Sequence, residues 1–192
     1  MVAHSAVAPR QWTYDEVSAI EDEVRRELLD GEIIEMPSPT LSHQDIILRL
    51  ALLFTLWARQ NGGKAFISPV DLYVSPTTYF IPDFVFYSAT QMATGEVERD
   101  PKRLNIAPAL IVEVLSDATA RNDRVRKMRA YAQFGVSHYW IVDPAHRTVE
   151  AYELHEGIYH VAATHEGEEV FTPPAFTGLE IPLIEVFGPV AA

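Results

Sequence analysis

A chain of 192 residues is long enough to bury one hydrophobic core and short for two, and 48% hydrophobic with 22% charged residues excludes disorder as the default state. It has no cysteine, which excludes disulfides, thiolate metal sites and thiol nucleophiles, so a metal would have to be held by carboxylate, imidazole, carbonyl or water. A formal charge of −12 argues against a surface that attracts nucleic acid everywhere, although the stretches 99–103 and 121–129 are locally basic.

These bounds predict a single domain over residues 1–192 with a flexible stretch at 1–12. The start has one basic residue, Arg10, and no apolar signal core, and no later run is apolar enough to span a bilayer, so a cytoplasmic protein without a membrane partner is expected.

Thr13 is placed to cap a short helix through Ile20. Asp30-Gly31 then stands between two strand-like runs within Arg26–Met36, the signature of a two-residue hairpin. Ser42 is expected to cap a long helix carrying Ile46, Ile47, Leu50, Leu53, Phe54 and Trp57 at helical spacing, ended by Asn61-Gly62-Gly63. Because Leu48, Leu52 and Leu56 fill the intervening positions, the helix reads as apolar around most of its circumference and sandwiched in the interior. Strands follow at 64–74 and 79–87, then a loop from Ser88 to Ile106. Ala109–Leu115 is a β-rich run interrupted only by Glu113 and reads as a strand buried on both faces. A helix over 121–134 with Gly135 at its C-cap, a strand at 139–142, a turn at Asp143-Pro144 and alternating strands near 148–154 and 158–164 complete the pattern. Residues 170–187, with three prolines, are expected to pack as irregular or edge structure. The order predicts an α/β (α+β) fold, a central mixed β-sheet flanked by helices with an N-terminal β-hairpin.

Two carboxylates stand out. Asp83 follows Pro82 among apolar neighbours, and Glu113 sits mid-strand in Leu110-Ile-Val-Glu-Val-Leu115, where a charge costs several kcal/mol unless it is paired or binds a cation. On adjacent strands the two could share a hard cation such as Mg²⁺ or Mn²⁺, which takes oxygen ligands and completes its shell with water and phosphate. Alternatively, Asp83 closes a turn and Glu113 forms a buried ion pair with an arginine. No phosphate-binding Gly-rich loop, Gly-x-Ser-x-Gly elbow or helical His-Glu-x-x-His pair points to another chemistry.

The Pro-Asp dipeptide at a strand start, the hydrophobic strand with a central Glu and the following helix resemble the PD-(D/E)XK nuclease superfamily. Asp30-Gly31-Glu32, Ser42-His43, Ile81-Pro82-Asp83, the run Pro108–Ser116, Asp123 with Lys127, and the run Gly135–Pro144, in that order, resemble the Uma family of restriction endonucleases across nearly the whole chain. The resemblance implies a restriction-endonuclease-like fold and a metal-dependent endonuclease acting on nucleic acid, with DNA the expected substrate. Asp83 and Glu113 would be the acidic ligands and the Val114 carbonyl a further one. The superfamily lysine two residues after the Glu is replaced here by Leu115, and Lys127 on the next helix is the candidate substitute, to position the attacking water and stabilise negative charge. An i,i+4 pair with Asp123 would equally account for Lys127. Glu32, His43 and Asp123 are candidates to support the site, and Arg121, Arg124 and Arg126 to guide a phosphate backbone, although solvated faces would explain these arginines too. Cutting both strands of a duplex would favour a symmetric homodimer. Leu115 and the acidic charge leave a rival reading, a catalytically inactive nuclease-fold binding module.

Overall fold

The computed structural model describes residues 10–116 and 118–189. The first nine residues of the expected flexible stretch lie outside the described residues; next to them, the Trp12 N–H donates to the Gly31 carbonyl at 2.9 Å. The short helix α1 (Tyr14–Ser18) starts at Thr13 with a capping box, in which Glu16 returns the bond to the cap. The hairpin β1 (Arg26–Leu29) and β2 (Glu32–Glu35) turns at Asp30 and Gly31, both at positive φ (52° and 80°), the geometry that an Asp-Gly turn supplies.

The long helix α2 (Leu41–Asn61) begins two residues earlier than expected. Thr40, not Ser42, is its cap, accepting the His43 N–H. The interior placement is also corrected: Ile46, Ile47, Leu50 and Phe54 are buried, whereas Leu48, Leu52 and Leu56 face outward. Apolar spacing identified the buried stripe, but whether a second layer covers the opposite face depends on tertiary packing. After α2, Gly63 lies at φ 93°, and a Cβ there would stand 2.6 Å from the Tyr87 carbonyl oxygen and 2.4 Å from the Phe86 ring. Gly63→Ala is therefore expected to lose at least about 2 kcal/mol, from left-handed strain plus a clash with backbone, measured as a lower urea midpoint at unchanged m-value.

The following strands are β3 (Lys64–Ile67), β4 (Asp71–Ser75), β5 (Thr78–Phe80) and β6 (Phe84–Tyr87). The expected loop at 88–106 contains a short capped helix, α3 (Ala89–Ala93), and a two-residue strand, β7 (Arg103–Leu104). The Glu113 strand is β8 (Leu110–Val114), buried throughout. The next helix is not uniform. It opens with a π-helical turn, Asn122–Lys127, and continues as α4 (Met128–Phe134), which Gly135 ends at φ 90°. The chain finishes with β9 (His138–Asp143), β10 (Thr148–His155), β11 (Ile158–Glu166), β12 (Val170–Phe171), β13 (Ile181–Pro182) and α5 (Leu183–Phe187), so the proline-rich tail holds a two-stranded ribbon and a helix.

The strands form two principal sheets. A six-stranded mixed sheet runs β11-β10-β9-β8-β6-β3, with β8 parallel to β9 and antiparallel to β6. A five-stranded sheet, β2-β1-β5-β4-β7, holds the hairpin. Alternation along β8 divides the interior. Leu110, Val112 and Val114 join the core under α2, while Ile111 and Leu115 join the core shared with Leu29, Phe80, Ala130 and Tyr131. Glu113 therefore points away from α2, toward the second sheet and the helix after β8. Among the described residues, no helix is long and apolar enough to cross a membrane.

Candidate active-site cleft

A cleft of about 410 Å³ is lined by residues of the 36–43 segment, by Asp83, by Glu113–Ser116, by Asp123 and Lys127, and by the turn 143–146. The pairing of Phe84 with Val112 sets Asp83, the residue just before β6, opposite Glu113. Asp83 spans two elements. Its Oδ2 accepts the Val114 N–H at 2.8 Å and its Oδ1 lies 3.0 Å from His43 Nε2, on the first turn of α2. Thus Asp83, Glu113, Val114 and His43 come together, although it is the Val114 N–H, not its carbonyl, that is engaged on Asp83.

Glu113 is fully enclosed. The Tyr131 hydroxyl donates to its Oε1 at 2.7 Å and Lys127 Nζ lies 3.1 Å from the same oxygen. The buried-arginine partner considered from sequence is not what pairs Glu113; a lysine does. Lys127 also lies 2.9 Å from Glu27 and 3.3 Å from Asp123, so the i,i+4 pair exists, but as one side of a larger cluster. Leu115, at the superfamily's lysine position, is core, while Lys127 reaches the Glu113 carboxylate from the π-helical turn that follows the strand.

Burial pushes the Glu113 pKa well above the ordinary carboxylate value; Lys127 opposes that shift, and Asp123, Asp83 and Glu27 add to it. Glu27 is raised in the same way, by burial first and against Lys127. Burial alone would lower the Lys127 pKa, but Glu113, Glu27 and Asp123 hold it well above the usual lysine range. Lys127 is therefore an ammonium, a donor and a fixed positive charge rather than a proton acceptor.

Glu27 had gone unnoticed in the sequence. It lies on β1, fully buried, and accepts the Ile81 N–H at 2.9 Å. Glu27 shares one face of β1 with Leu29, and the other face, with Leu28, is buried as well. Glu32 pairs across the hairpin with Leu29, but at the tip, where its side chain is 64% exposed and bonds Arg126 at 2.7 Å. It does not reach the cleft. Tyr131 was missed too, because a tyrosine on an amphipathic helix reads as core.

The basic residues are redistributed. Arg124 forms a two-point ion pair with Glu150 at 2.7 and 2.8 Å, Arg126 is held by Glu32, and Arg121 is exposed; none of the three lines the cleft. Arg25 does line it. Its Nη2 donates to Ser68 Oγ at 2.7 Å, and its Nε is buried with no partner among the described residues. His146, at the rim, contacts Asp143 through Nδ1 at 2.9 Å.

The oxygen donors suit a hard cation. Glu27, Glu113 and Asp123 are gathered around the Lys127 ammonium, Asp83 stands apart on Val114 and His43, and Glu27 Oε2 is buried without a hydrogen bond among the described residues, so three carboxylates share one cation. No three His, Asp or Glu side chains form a ready-made metal cage among the described residues.

Comparisons with known proteins bear on the family and the fold. A family model, Uma2, described as "Putative restriction endonuclease", matches residues 12–184. Two Synechocystis sp. proteins, named as the uncharacterized proteins slr1290 and sll1609, are 32% identical over 138 residues and 26% identical over 132; the matches cover 69% and 67% of this chain and 68% and 72% of those proteins. A crystal structure from Anabaena variabilis, described as a putative nuclease belonging to DUF820, superposes with a TM-score of 0.72 over 91% of this chain and 97% of that one, at 21% identity, a likeness of fold.

Proposed function

The chain belongs to the Uma2 family and has a restriction-endonuclease-like α/β (α+β) fold, and from that premise we propose that it is a metal-dependent endonuclease that hydrolyses phosphodiester bonds of DNA in this cleft. The observation that carries this reading is the meeting of Asp83, Glu113 and Lys127, from three separated parts of the sequence, at one wall of an open cleft.

Asp83 and Glu113, with the Val114 carbonyl beside them, are the residues that would hold Mg²⁺ or Mn²⁺. Such an ion, when bound, lowers the pKa of a water and draws charge from the leaving oxygen. The chain's own groups do the rest. The Val114 N–H and His43 fix the Asp83 carboxylate from two sides, which presents it in one orientation. Tyr131 fixes Glu113 in the same manner. Lys127, kept cationic, places a fixed positive charge next to the carboxylates, which would stabilise negative charge that develops on a bound phosphate. Glu27 and Asp123 anchor the ammonium. Arg25, which lines the cleft, is the arginine placed to draw in a phosphate by its charge, a role that the surface arginines do not fill.

The acidic charge of −12 leaves local chemistry in the cleft to carry substrate binding. The test is incubation of supercoiled plasmid, single-stranded DNA and RNA with the purified protein and Mg²⁺ or Mn²⁺, with EDTA as control. Nicking or linearisation of plasmid that stops with EDTA is the expected result. If all three substrates survive while calorimetry still records Mn²⁺ binding, the rival reading as an inactive binding module stands instead.

A further inference from the structure

The outward face of α2 carries a stripe that the described residues leave uncovered. Leu41, Leu48, Leu52 and Leu56 are 91%, 63%, 57% and 46% exposed. At 100° per residue these four leucines, together with Asp45 and Arg59, fall within about 80° of one another around the helix axis, opposite the buried stripe of Ile46, Ile47, Leu50 and Phe54. Scattered single leucines on a surface need no explanation, but a continuous row on one helix marks an interaction face.

We infer that this face is where two copies of the chain pack, α2 against α2 in antiparallel fashion, about a two-fold axis through Leu52. The order of side chains along the stripe argues for this occupant. An antiparallel two-fold at Leu52 sets Leu52 against itself, Leu48 against Leu56 in both halves, and Asp45 of each copy against Arg59 of the other. Moving the axis to Leu48 sets leucines against Gln44 and Thr40, and a parallel arrangement sets Asp45 on Asp45 and Arg59 on Arg59. A two-fold interface must be complementary to itself, and this stripe meets that condition in one register. Asp45 has an alternative within its own chain, Arg49 at 2.8 Å, whereas Arg59 makes no ion pair among the described residues. The second copy supplies Arg59 with one.

From Leu41 to Leu56 the stripe is about 22 Å long and about 10 Å wide. A few hundred Å² is below the roughly 800 Å² per partner of a tight complex, so the dimer is reversible and forms at tens to hundreds of micromolar. His43, on the cleft wall, lies nine residues from Leu52, so the two clefts would stand about 27 Å apart along the paired helices. None of this requires the chain to be a nuclease.

Sedimentation velocity over about 5–500 µM tests it. The expected result is a concentration-dependent shift from monomer to dimer, at least tenfold weaker in Leu48→Glu/Leu52→Glu, whose exposed positions leave folding intact by circular dichroism. Arg59→Glu should weaken association about fivefold, and Asp45→Arg/Arg59→Glu, which exchanges the charges, should restore it. A chain that stays monomeric at about 500 µM, a dimer indifferent to the leucine changes, or a charge exchange that fails to restore association would each overturn the proposal.

Discussion

Lys127→Met is expected to destabilise the metal-free protein by about 3–5 kcal/mol, the loss seen when one member of a buried ion cluster is removed and the others stay. Methionine fills similar volume, so the effect is electrostatic rather than a cavity. Glu27, Glu113 and Asp123 are all buried against this one ammonium. Without it, the folded state must either keep several uncompensated carboxylates or protonate them. The pH dependence follows. Glu27 and Glu113 already have folded-state pKa values raised above the ordinary 4.5, by burial first, and Lys127 is the group that holds them down. Removing it raises them further. A carboxylate with a raised folded-state pKa keeps its stability at pH below the unfolded value and loses it as pH rises through the folded value. The deficit of Lys127→Met relative to wild type should therefore be small near pH 4.5 and grow toward pH 8. Urea denaturation at both pH values measures it. A deficit under about 1 kcal/mol, or one that shrinks as pH rises, would show that Lys127 does not neutralise the cluster.

Glu113→Gln separates stability from activity. Glutamine keeps the shape and an oxygen for the Tyr131 hydroxyl, while Lys127 retains Glu27 and Asp123. Because Glu113 is a carboxylate whose burial opposes its own charge, the amide costs the fold little, and the thermal midpoint should stay within a few degrees of wild type or rise. Metal-dependent cleavage, by contrast, should fall on the order of 10³-fold or more, the scale on which loss of one preorganised electrostatic group acts. Asp83→Ala should lose activity to a similar extent, but it also frees the Val114 N–H and His43, so its stability should drop where that of Glu113→Gln does not. Calorimetric titration with Mn²⁺ gives the independent reading, with affinity expected to weaken in both. Unchanged Mn²⁺ affinity in both variants would remove this pair from the metal site.

The buried carboxylate of β8 was legible from sequence because chemistry forces the conclusion: a charge in an apolar β-run must have a partner wherever the strand goes. Asp83 was legible by the same logic. The identity of the partners was not. Glu27 and Tyr131 belong to segments whose local patterns read as an ordinary hairpin and an ordinary helix, and they become site residues only because β1 lies beside β5 and the helix after β8 lies over Glu113. Glu32 resembled a family position and lies on the same face of the hairpin as Glu27. It is at the tip, and a few residues of distance along a strand decide between cleft and solvent.

Sequence alone therefore determined the elements whose causes are local: the Thr13 cap, the Asp30-Gly31 turn, the buried stripe of α2, the Gly135 stop and the strand around Glu113. Helical and strand periods and glycine's freedom at positive φ act within a few residues, so they can be read in order along the chain. Tertiary structure decided which arginines were already spent on Glu150 and Glu32, that Arg25 lined the cleft, and that the outer leucines of α2 remained uncovered by the described residues. Those outcomes depend on which distant segments meet, and Coulomb and hydrophobic contacts between residues tens of positions apart leave no period in the sequence.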